Sequence, residues 1–435
     1  MSGKPVREKA ERARAAALSL QAASDEARAA AVLALADAIE RASPAILAAN
    51  VEDVASAERE RLAPASLARL KLTPEKLRIT LDGVRSLARA VDPIGRTLRA
   101  TLLDDGLRLY QVSVPLGVVA CVFESRPDAA IQIPALTLRT GNAVLLKGGR
   151  EAERTNKAIV DAIRGAIALP DAVQLLDGRA EVAALLAHDD LVDLVIPRGS
   201  SEFVRHVMDS TRIPVLGHAA GVCHVYLHEK ADPAKAVPLV LDAKTDNPSA
   251  CNAAETLLID RRATHLVKPV LEALAKAGVE VRATDEVLAL APSLAKRATD
   301  EDFGVEFGAL VIAARLVDGL EDAVGFVNAR SSKHTDVIVT EDADAARRFV
   351  ASVDSAGVFV NASPRFADGY RYGLGAEVGV STSKVHARGP VGMDELTTTK
   401  WVLLGEGHTA GTYQGKVPRP FKHLSIERAL TEEWP

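Results

Sequence analysis

VVACVFESRPDAAIQIPALTLRTGNAVLLKGG, residues Val118 to Gly149, is the stretch from which the fold can be read. Val118 to Phe123 is a continuous apolar run of strand length. Asp128 to Arg139 has helical texture, Gly141-Asn142 makes a turn, and Ala143 to Leu146 is a second apolar strand that ends at Lys147-Gly148-Gly149. Neither strand alternates with polar residues, so both faces must be covered. That is the mark of parallel strands in an α/β sheet, where helices lie on both sides.

The pattern continues outward toward the C-terminus. Glu153 to Ala166 reads as helix, Val173 to Leu176 as strand, Glu181 to Ala187 as helix and Val192 to Ile196 as buried strand. Gly199-Ser200-Ser201 then opens a helix with Phe203, Val204, Val207 and Met208 on one face. A second set follows: strands at Val225 to Leu227, Thr256 to Ile259, Val279 to Val281, Leu310 to Leu316, Val337 to Thr340 and Val358 to Val360. Helices fall between them at Pro233 to Ala243, His265 to Ala277, Glu321 to Asn328 and Ala343 to Ser352. Upstream, Thr97 to Leu103 and Leu107 to Val112 flank Asp104-Asp105-Gly106, a hairpin signal. The Ala-rich start predicts helix over Arg7 to Arg41, a restart at Ser43-Pro44, and further helical pieces over Leu62 to Ala90. The architecture expected is α/β, with two doubly wound units and a β-hairpin.

Composition narrows the function classes. The 435 residues are 48% hydrophobic and 26% charged, which suits an ordinary globular protein of two or three domains. The net charge of −5, with no long basic block, argues against a nucleic-acid surface. No apolar stretch is long enough to span a bilayer, and the charged start from Met1 to Arg12 lacks the apolar core of a signal peptide. Three cysteines without a CxxC pair exclude a disulfide framework and a structural zinc site. A reducing cytoplasm is the compartment expected.

Three constellations carry chemistry. Asp246-Asn247-Pro248-Ser249-Ala250-Cys251-Asn252-Ala253 puts a cysteine in a small, polar loop between a helix and a strand. Such a loop exposes a sulfur and aims the Cys251 backbone N–H at a developing oxyanion, or it simply buries an inert thiol. Cys121, inside the apolar run, reads as a core thiol, and Cys223 as structural. Ile196-Pro197-Arg198-Gly199-Ser200-Ser201-Glu202 joins a strand end to a helix start, either a phosphate cradle or an ordinary N-cap. Lys147-Gly148-Gly149-Arg150 lies at the carboxyl end of a strand, where doubly wound sheets bind ligands. It is either a cofactor contact or a solvated turn. His224 and His228 make no metal site with His218, because four residues along a strand separate them by roughly 13 Å.

Pro115-Leu116-Gly117-Val118, Gly141-Asn142, Lys147, Gly199-Ser200, Cys251, Glu306-Phe307-Gly308 and Val360-Asn361 occur in an order that resembles the aldehyde dehydrogenase superfamily. More narrowly, Phe123 to Asp128, Gly217-His218, Cys223 to Tyr226, Ser331 to Asp336 and the run Tyr372 to Pro390 are similar to the gamma-glutamyl phosphate reductase family. The likeness extends from about residue 10 to about residue 405.

The resemblance implies an NADP-binding domain over residues 1–96 and 114–223, a catalytic domain over 224–395 that carries Cys251, and an oligomerisation flap over 97–113 and 396–412. It implies NADPH-dependent reduction of L-glutamyl 5-phosphate to L-glutamate 5-semialdehyde through a cysteine thioester, in proline biosynthesis. Carried over residue by residue, Cys251 is the nucleophile, Lys147 and Glu306 contact the cofactor riboses, and Gly199 and Ser200 meet the pyrophosphate. Arg126, Arg371 and Arg388 are the candidates for the substrate carboxylate and phosphate, or else structural ion pairs. A homo-oligomer is implied, and a separate glutamate 5-kinase would have to make the acyl phosphate. Hydrolytic aldehyde dehydrogenases carry a Glu base 34 residues before the cysteine; here that position is Gly217. The superfamily's usual oxyanion Asn is also missing between Glu124 and Asp128. Two alternatives remain at this level: a coenzyme A-acylating aldehyde dehydrogenase, and a non-catalytic NADP-binding scaffold.

Overall fold

Ala and Leu favour helix because they lose little on being ordered, and the N-terminal quarter is helical, though divided differently from the reading above. The computed structural model describes residues 3–199, 201–217 and 220–433. Instead of one helix through Arg41, helices Gly3–Gln21 and Asp25–Arg59 meet at Ser24, whose side chain caps the second by accepting from the Ala27 N–H. The restart at Ser43-Pro44 does not occur: Pro44 lies inside the second helix. Proline forfeits one intrahelical hydrogen bond. Ile39 and Ile46, fully buried on either side of it, anchor the helix to the core regardless. Helices Pro64–Leu70 and Pro74–Arg89 complete the layer, each with proline in its first turn.

Strands β1 (Thr97–Asp104) and β2 (Leu107–Pro115) form the expected hairpin, turning at Gly106 with φ 72°. Strands β3 (Val118–Phe123), β4 (Ala143–Lys147), β5 (Val173–Leu175) and β6 (Leu194–Arg198) form a parallel sheet in the order β5-β4-β3-β6. Every residue of β3 is buried, as its unbroken apolar run requires. The helix Ser201–Ser210 follows β6, with Val204 and Val207 buried. Met208, expected on the same face, is 47% exposed, so that face is narrower than the sequence suggested.

The second unit is a seven-stranded sheet. It comprises β7 (Cys223–Leu227), β8 (Ala254–Asp260), β9 (Glu280–Ala283), β10 (Lys296–Arg297), β11 (Val311–Val317), β12 (Thr335–Val339) and β13 (Gly357–Val360). Their order is β10-β9-β11-β8-β7-β12-β13, with every pairing parallel. Alternate residues face two different cores. Val225, Leu227, Leu257 and Ile259 pack on one side, and Tyr226, Leu258 and Ile338 on the other. A two-stranded ribbon, β14 (Gly379–Ser381) with β15 (Gly389–Val391), precedes β16 (Thr397–Leu404) and β17 (Leu424–Ser425).

The hairpin is the middle of a larger sheet, ordered β16-β2-β1-β17. Residues beyond the reach of the family likeness, as far as Glu433, pack on this sheet. Glu433 pairs with Arg108 at 3.0 Å and accepts a hydrogen bond from the Tyr110 hydroxyl, and the Leu430 N–H donates to Thr97 at 2.8 Å.

Candidate active site

Helix Pro233–Thr245 ends at Asp246, and the chain turns through Asn247 to Cys251 before entering β8. Short polar residues suit such a turn because their side chains bond to the local backbone or to each other. Here Ser249 donates to Asn247 at 3.0 Å, and the Ala250 N–H reaches the Asn247 carbonyl at 3.1 Å. Outside contacts fix the loop on two sides. Arg365 and Arg371 both reach Asp246 Oδ2, at 3.0 and 3.1 Å, and Asn252 donates to the Ala367 carbonyl at 2.9 Å. On the other side the backbone of Gly221 lies so close that a Cβ there would fall 2.0 Å from the Cys251 carbonyl oxygen. Only glycine fits at that point.

The three thiols differ in exposure. Cys121 and Cys223 are fully buried, whereas Cys251 is half-buried. Burial pushes the Cys121 thiol up to about 12 and raises Cys223 well above its ordinary 9.0, because a thiolate there would be stripped of water. Cys223 points its sulfur at the Cys251 carbonyl, 3.5 Å away, and so serves the loop as a packing partner.

Cys251 Sγ lies 3.3 Å from His334 Nε2. His334 is 1% exposed, and its Nδ1 is 2.9 Å from Thr335 Oγ1. The sequence reading quoted His334 within a motif and gave it no role. The partners are 83 residues apart, so no local signal joins them.

Two charged side chains act on Cys251 from other elements. Arg126 is lowered from its ordinary value, first by burial and then by the neighbouring Arg198. Glu377 is raised by burial and accepts from the Gly369 N–H at 2.8 Å. Arg126 follows Ser125, whose φ of 49° is unusual for a residue with a side chain. Glu151 holds that conformation: its Oε1 accepts from the Ser125 N–H at 2.6 Å and from the Ser125 hydroxyl at 2.8 Å. Sequence reasoning missed Glu151 altogether.

The other two arginine candidates hold carboxylates of the chain itself. Arg371 bonds to Asp246 and to the Arg365 carbonyl, at 3.1 and 2.8 Å, so it belongs to the clamp on the nucleophile loop. Arg388 bonds to Asp354 Oδ1 at 3.0 Å, a carboxylate shared with Lys333 and Lys384. Both arginines thus make ion pairs within the chain, to Asp246 and Asp354.

A cleft of about 1370 Å³ opens at the carboxyl ends of β3, β4 and β5, against the helix Ser201–Ser210, lined by Phe123, Lys147, Gly148, Asn156, Leu176 and Phe203 among others. Its walls approach the backbone closely. A Cβ at Gly148 would lie 1.9 Å from Asn156 Nδ2, and one at Gly199 would lie 2.7 Å from Glu124 Oε2. Lys147 therefore stands at the cleft and Gly199 beside its rim, while Ser200 lies outside the described residues. Glu306 belongs to the second unit instead. Its Oε2 accepts from the Gly221 N–H at 2.9 Å, next to the nucleophile loop. Beneath it the fully buried pair Lys244–Glu255, 2.6 Å apart, receives the Gly308 N–H at 3.4 Å. Burial pushes Glu255 up to about 7 against the pull of Lys244. The histidines considered for metal are engaged elsewhere: His224 with Asp336 at 2.8 Å and His228 with Thr340 at 2.8 Å, while His218 lies outside the described residues.

Comparison with known proteins sets this geometry in context. The model of the aldehyde dehydrogenase family matches residues 1–302. The gamma-glutamyl phosphate reductase of Natronomonas pharaonis is 49% identical over 426 residues, covering 96% of this chain and 97% of that protein. The protein of the same name from Synechococcus sp. strain CC9605 is 51% identical over 405 residues, with 92% and 93% covered. The crystal structure of gamma-glutamyl phosphate reductase from Thermotoga maritima matches with a TM-score of 0.90 at 36% identity, covering 93% of this chain and 99% of that one. An acetylating aldehyde dehydrogenase from Geobacillus thermoglucosidasius shares the fold, with a TM-score of 0.66 at 19% identity.

Proposed function

This chain belongs to the gamma-glutamyl phosphate reductases of the aldehyde dehydrogenase family, and we propose from that premise that it reduces L-glutamyl 5-phosphate to L-glutamate 5-semialdehyde, releasing phosphate, through a thioester on Cys251. The observation that carries the proposal is the half-buried Cys251 in a loop clamped from two sides, while the other two thiols are sealed in cores. A nucleophile must reach its substrate, and it must be held where it attacks.

In this reading the Cys251 sulfur attacks the acyl carbon and displaces phosphate. Its own backbone N–H is the one donor assigned to the developing oxyanion. Arg126 lies within electrostatic range of Cys251 and is the cation favoured here for the anionic substrate. Arg371 and Arg388 would serve only by exchanging Asp246 and Asp354 for it. With Gly217 where hydrolytic relatives carry a carboxylate, no base stands at that position to turn water onto the thioester, which disfavours that route of hydrolysis. A nicotinamide cofactor, when bound, supplies the hydride. The cleft at the first sheet fits such a group: it is large, glycine-walled and carries Lys147. Lys147, Gly199, Ser200 and Glu306 are the residues proposed to hold NADP.

The domain assignment follows: residues 1–96 and 114–223 for the cofactor, 224–395 for catalysis, and 97–113 with 396–412 as the flap. Leu98, Trp401 and Leu403 on the flap strands, and Leu424 on the adjoining β17, are each more than half exposed, which supports burial against a second copy. Among the described residues no helix is long and apolar enough to cross a membrane, and a cytoplasmic setting is proposed, with a separate glutamate 5-kinase as the source of the acyl phosphate. The test is NADP reduction with L-glutamate 5-semialdehyde. Turnover should require phosphate, and coenzyme A should not replace it. Cys251→Ala should lose at least about 10³-fold in kcat. Turnover with coenzyme A alone would instead make the chain an acylating enzyme, and cofactor binding without turnover would make it a scaffold.

A further inference from the structure

We propose that His334 is a second catalytic residue, the group that takes the proton from Cys251 and passes it to the departing phosphate. The inference rests on the Cys251 reading and goes beyond it, because nothing in that reading says where the thiol proton goes. A thiol with an ordinary pKa is a poor nucleophile at neutral pH until a base relieves it of its proton.

The geometry singles out one nitrogen. His334 Nε2 is 3.3 Å from Sγ, within reach of a sulfur hydrogen bond. The far side of the ring, Nδ1, is 2.9 Å from Thr335 Oγ1. When Nδ1–H donates to that hydroxyl, Nε2 carries the lone pair, and the lone pair faces the thiol. The ring has little freedom to turn away. It is 1% exposed, and it follows Lys333, whose φ of 64° is held by the Ser331 hydroxyl accepting the Lys333 N–H at 2.9 Å. The Gly357 N–H ties the His334 carbonyl to β13 at 2.9 Å. A residue kept in a sparsely populated backbone region immediately before a buried imidazole points to a side chain whose direction matters.

Other ionisable groups lie within electrostatic range of the same residue. Arg126 approaches from the loop after β3, Glu377 from the segment before β14, and the Cys223 thiol from β7, with Glu255 and Asp336 behind it. Arg126 favours a thiolate. Glu377 is a rival base, but its Oε2 is committed to the Gly369 N–H at 2.8 Å.

The step balances as follows. Nε2 takes the S–H proton while sulfur forms its bond to the acyl carbon. The bond from that carbon to the phosphate oxygen breaks, and the imidazolium returns its proton to that oxygen. Phosphate leaves as hydrogen phosphate, and the imidazole is neutral again beside a thioester. When the aldehyde later departs and the sulfur comes free as thiolate, the same nitrogen hands it a proton drawn from solvent.

The test reads the thiol directly, without substrate or cofactor. Alkylation of Cys251 by iodoacetamide is followed across pH 5.5 to 10 by mass spectrometry of the labelled peptide, in the full-length protein and in His334→Gln. The proposal expects wild type to react well below the pKa of about 8.5 of an ordinary cysteine. In His334→Gln the alkylation profile should move up toward that value, with the rate at pH 7 falling about tenfold or more. With the semialdehyde, kcat should fall far more than KM rises, since the substrate itself is still held. Thr335→Val, which keeps the shape and removes the hydroxyl that orders the ring, should shift the same profile part of the way. An unchanged profile in a folded His334→Gln, judged by its thermal transition, overturns the role of His334. That result is distinct from failure of the thioester mechanism, which would appear as activity retained in Cys251→Ala.

Discussion

Two regions of this protein present the same side chain to opposite ends. On β3, Cys121 is one of six buried residues in a row, and its thiol is pushed up to about 12. In the loop before β8, Cys251 is half-buried, meets an imidazole, lies within electrostatic range of an arginine, and is gripped through its own backbone. Reactivity is therefore a property of the surroundings. A strand interior excludes the water a thiolate needs, while a loop at the end of a sheet leaves one side open and lets distant elements supply charge.

The comparison is sharpened most by attacking the grip on the loop. Gly221→Ala places a methyl group on the Cys251 backbone. Displacing a nucleophile by about 1 Å costs on the order of 10²-fold in rate. A loss of about that size in kcat, with the fold intact by circular dichroism, is expected; activity within twofold of wild type would mean the loop tolerates the shift. Glu151→Gln is the next test. It removes the charge that two Ser125 donors share, worth roughly 1–2 kcal/mol. Arg126 should then wander, and kcat/KM should drop roughly tenfold while the alkylation rate of Cys251 changes less.

Cys121→Ala is the mildest perturbation, and it examines the other half of the contrast. Activity per folded molecule should be unchanged. Because the native thiol ionises only at about 12, against an ordinary 9.0, the native state holds a proton that the unfolded state gives up above pH 9. The stabilising contribution of Cys121 is thus complete below about pH 9 and is lost as pH rises toward 12, at up to about 1.4 kcal/mol per pH unit. Urea midpoints at pH 8 and pH 10.5 should converge between wild type and variant as pH rises, and parallel midpoints would contradict the buried-thiol account.

Much of the fold was legible because its signals are local. The apolar runs of β3, β4, β7 and β12, the Asp-Gly turn of the hairpin and the polar loop before Cys251 each state their structure within ten residues. Pro44 was misread for a complementary reason. A proline breaks a helix in isolation, but this helix is held by what it packs against, and packing is not a neighbouring-residue property. The same holds for β17 and the tail around Glu433, whose partners on β1 and β2 lie more than 300 residues away. Of the candidate site, Cys251 stood out by its polar loop, and Lys147 and Gly199 by motifs at strand ends. Glu151 could not, since a carboxylate that fixes a turn 26 residues away looks in sequence like any surface acid.

Sequence alone determined most of the strand–helix alternation between β3 and β13, the α/β class and the identity of the one cysteine in a loop, because each depends on side-chain period and turn chemistry along a short stretch of chain. Tertiary structure decided which groups gather around that cysteine. His334, Arg126, Glu377 and Gly221 come from four separate segments, and only the closing of parallel sheets, which brings the ends of distant strands together, sets an imidazole 3.3 Å from the sulfur.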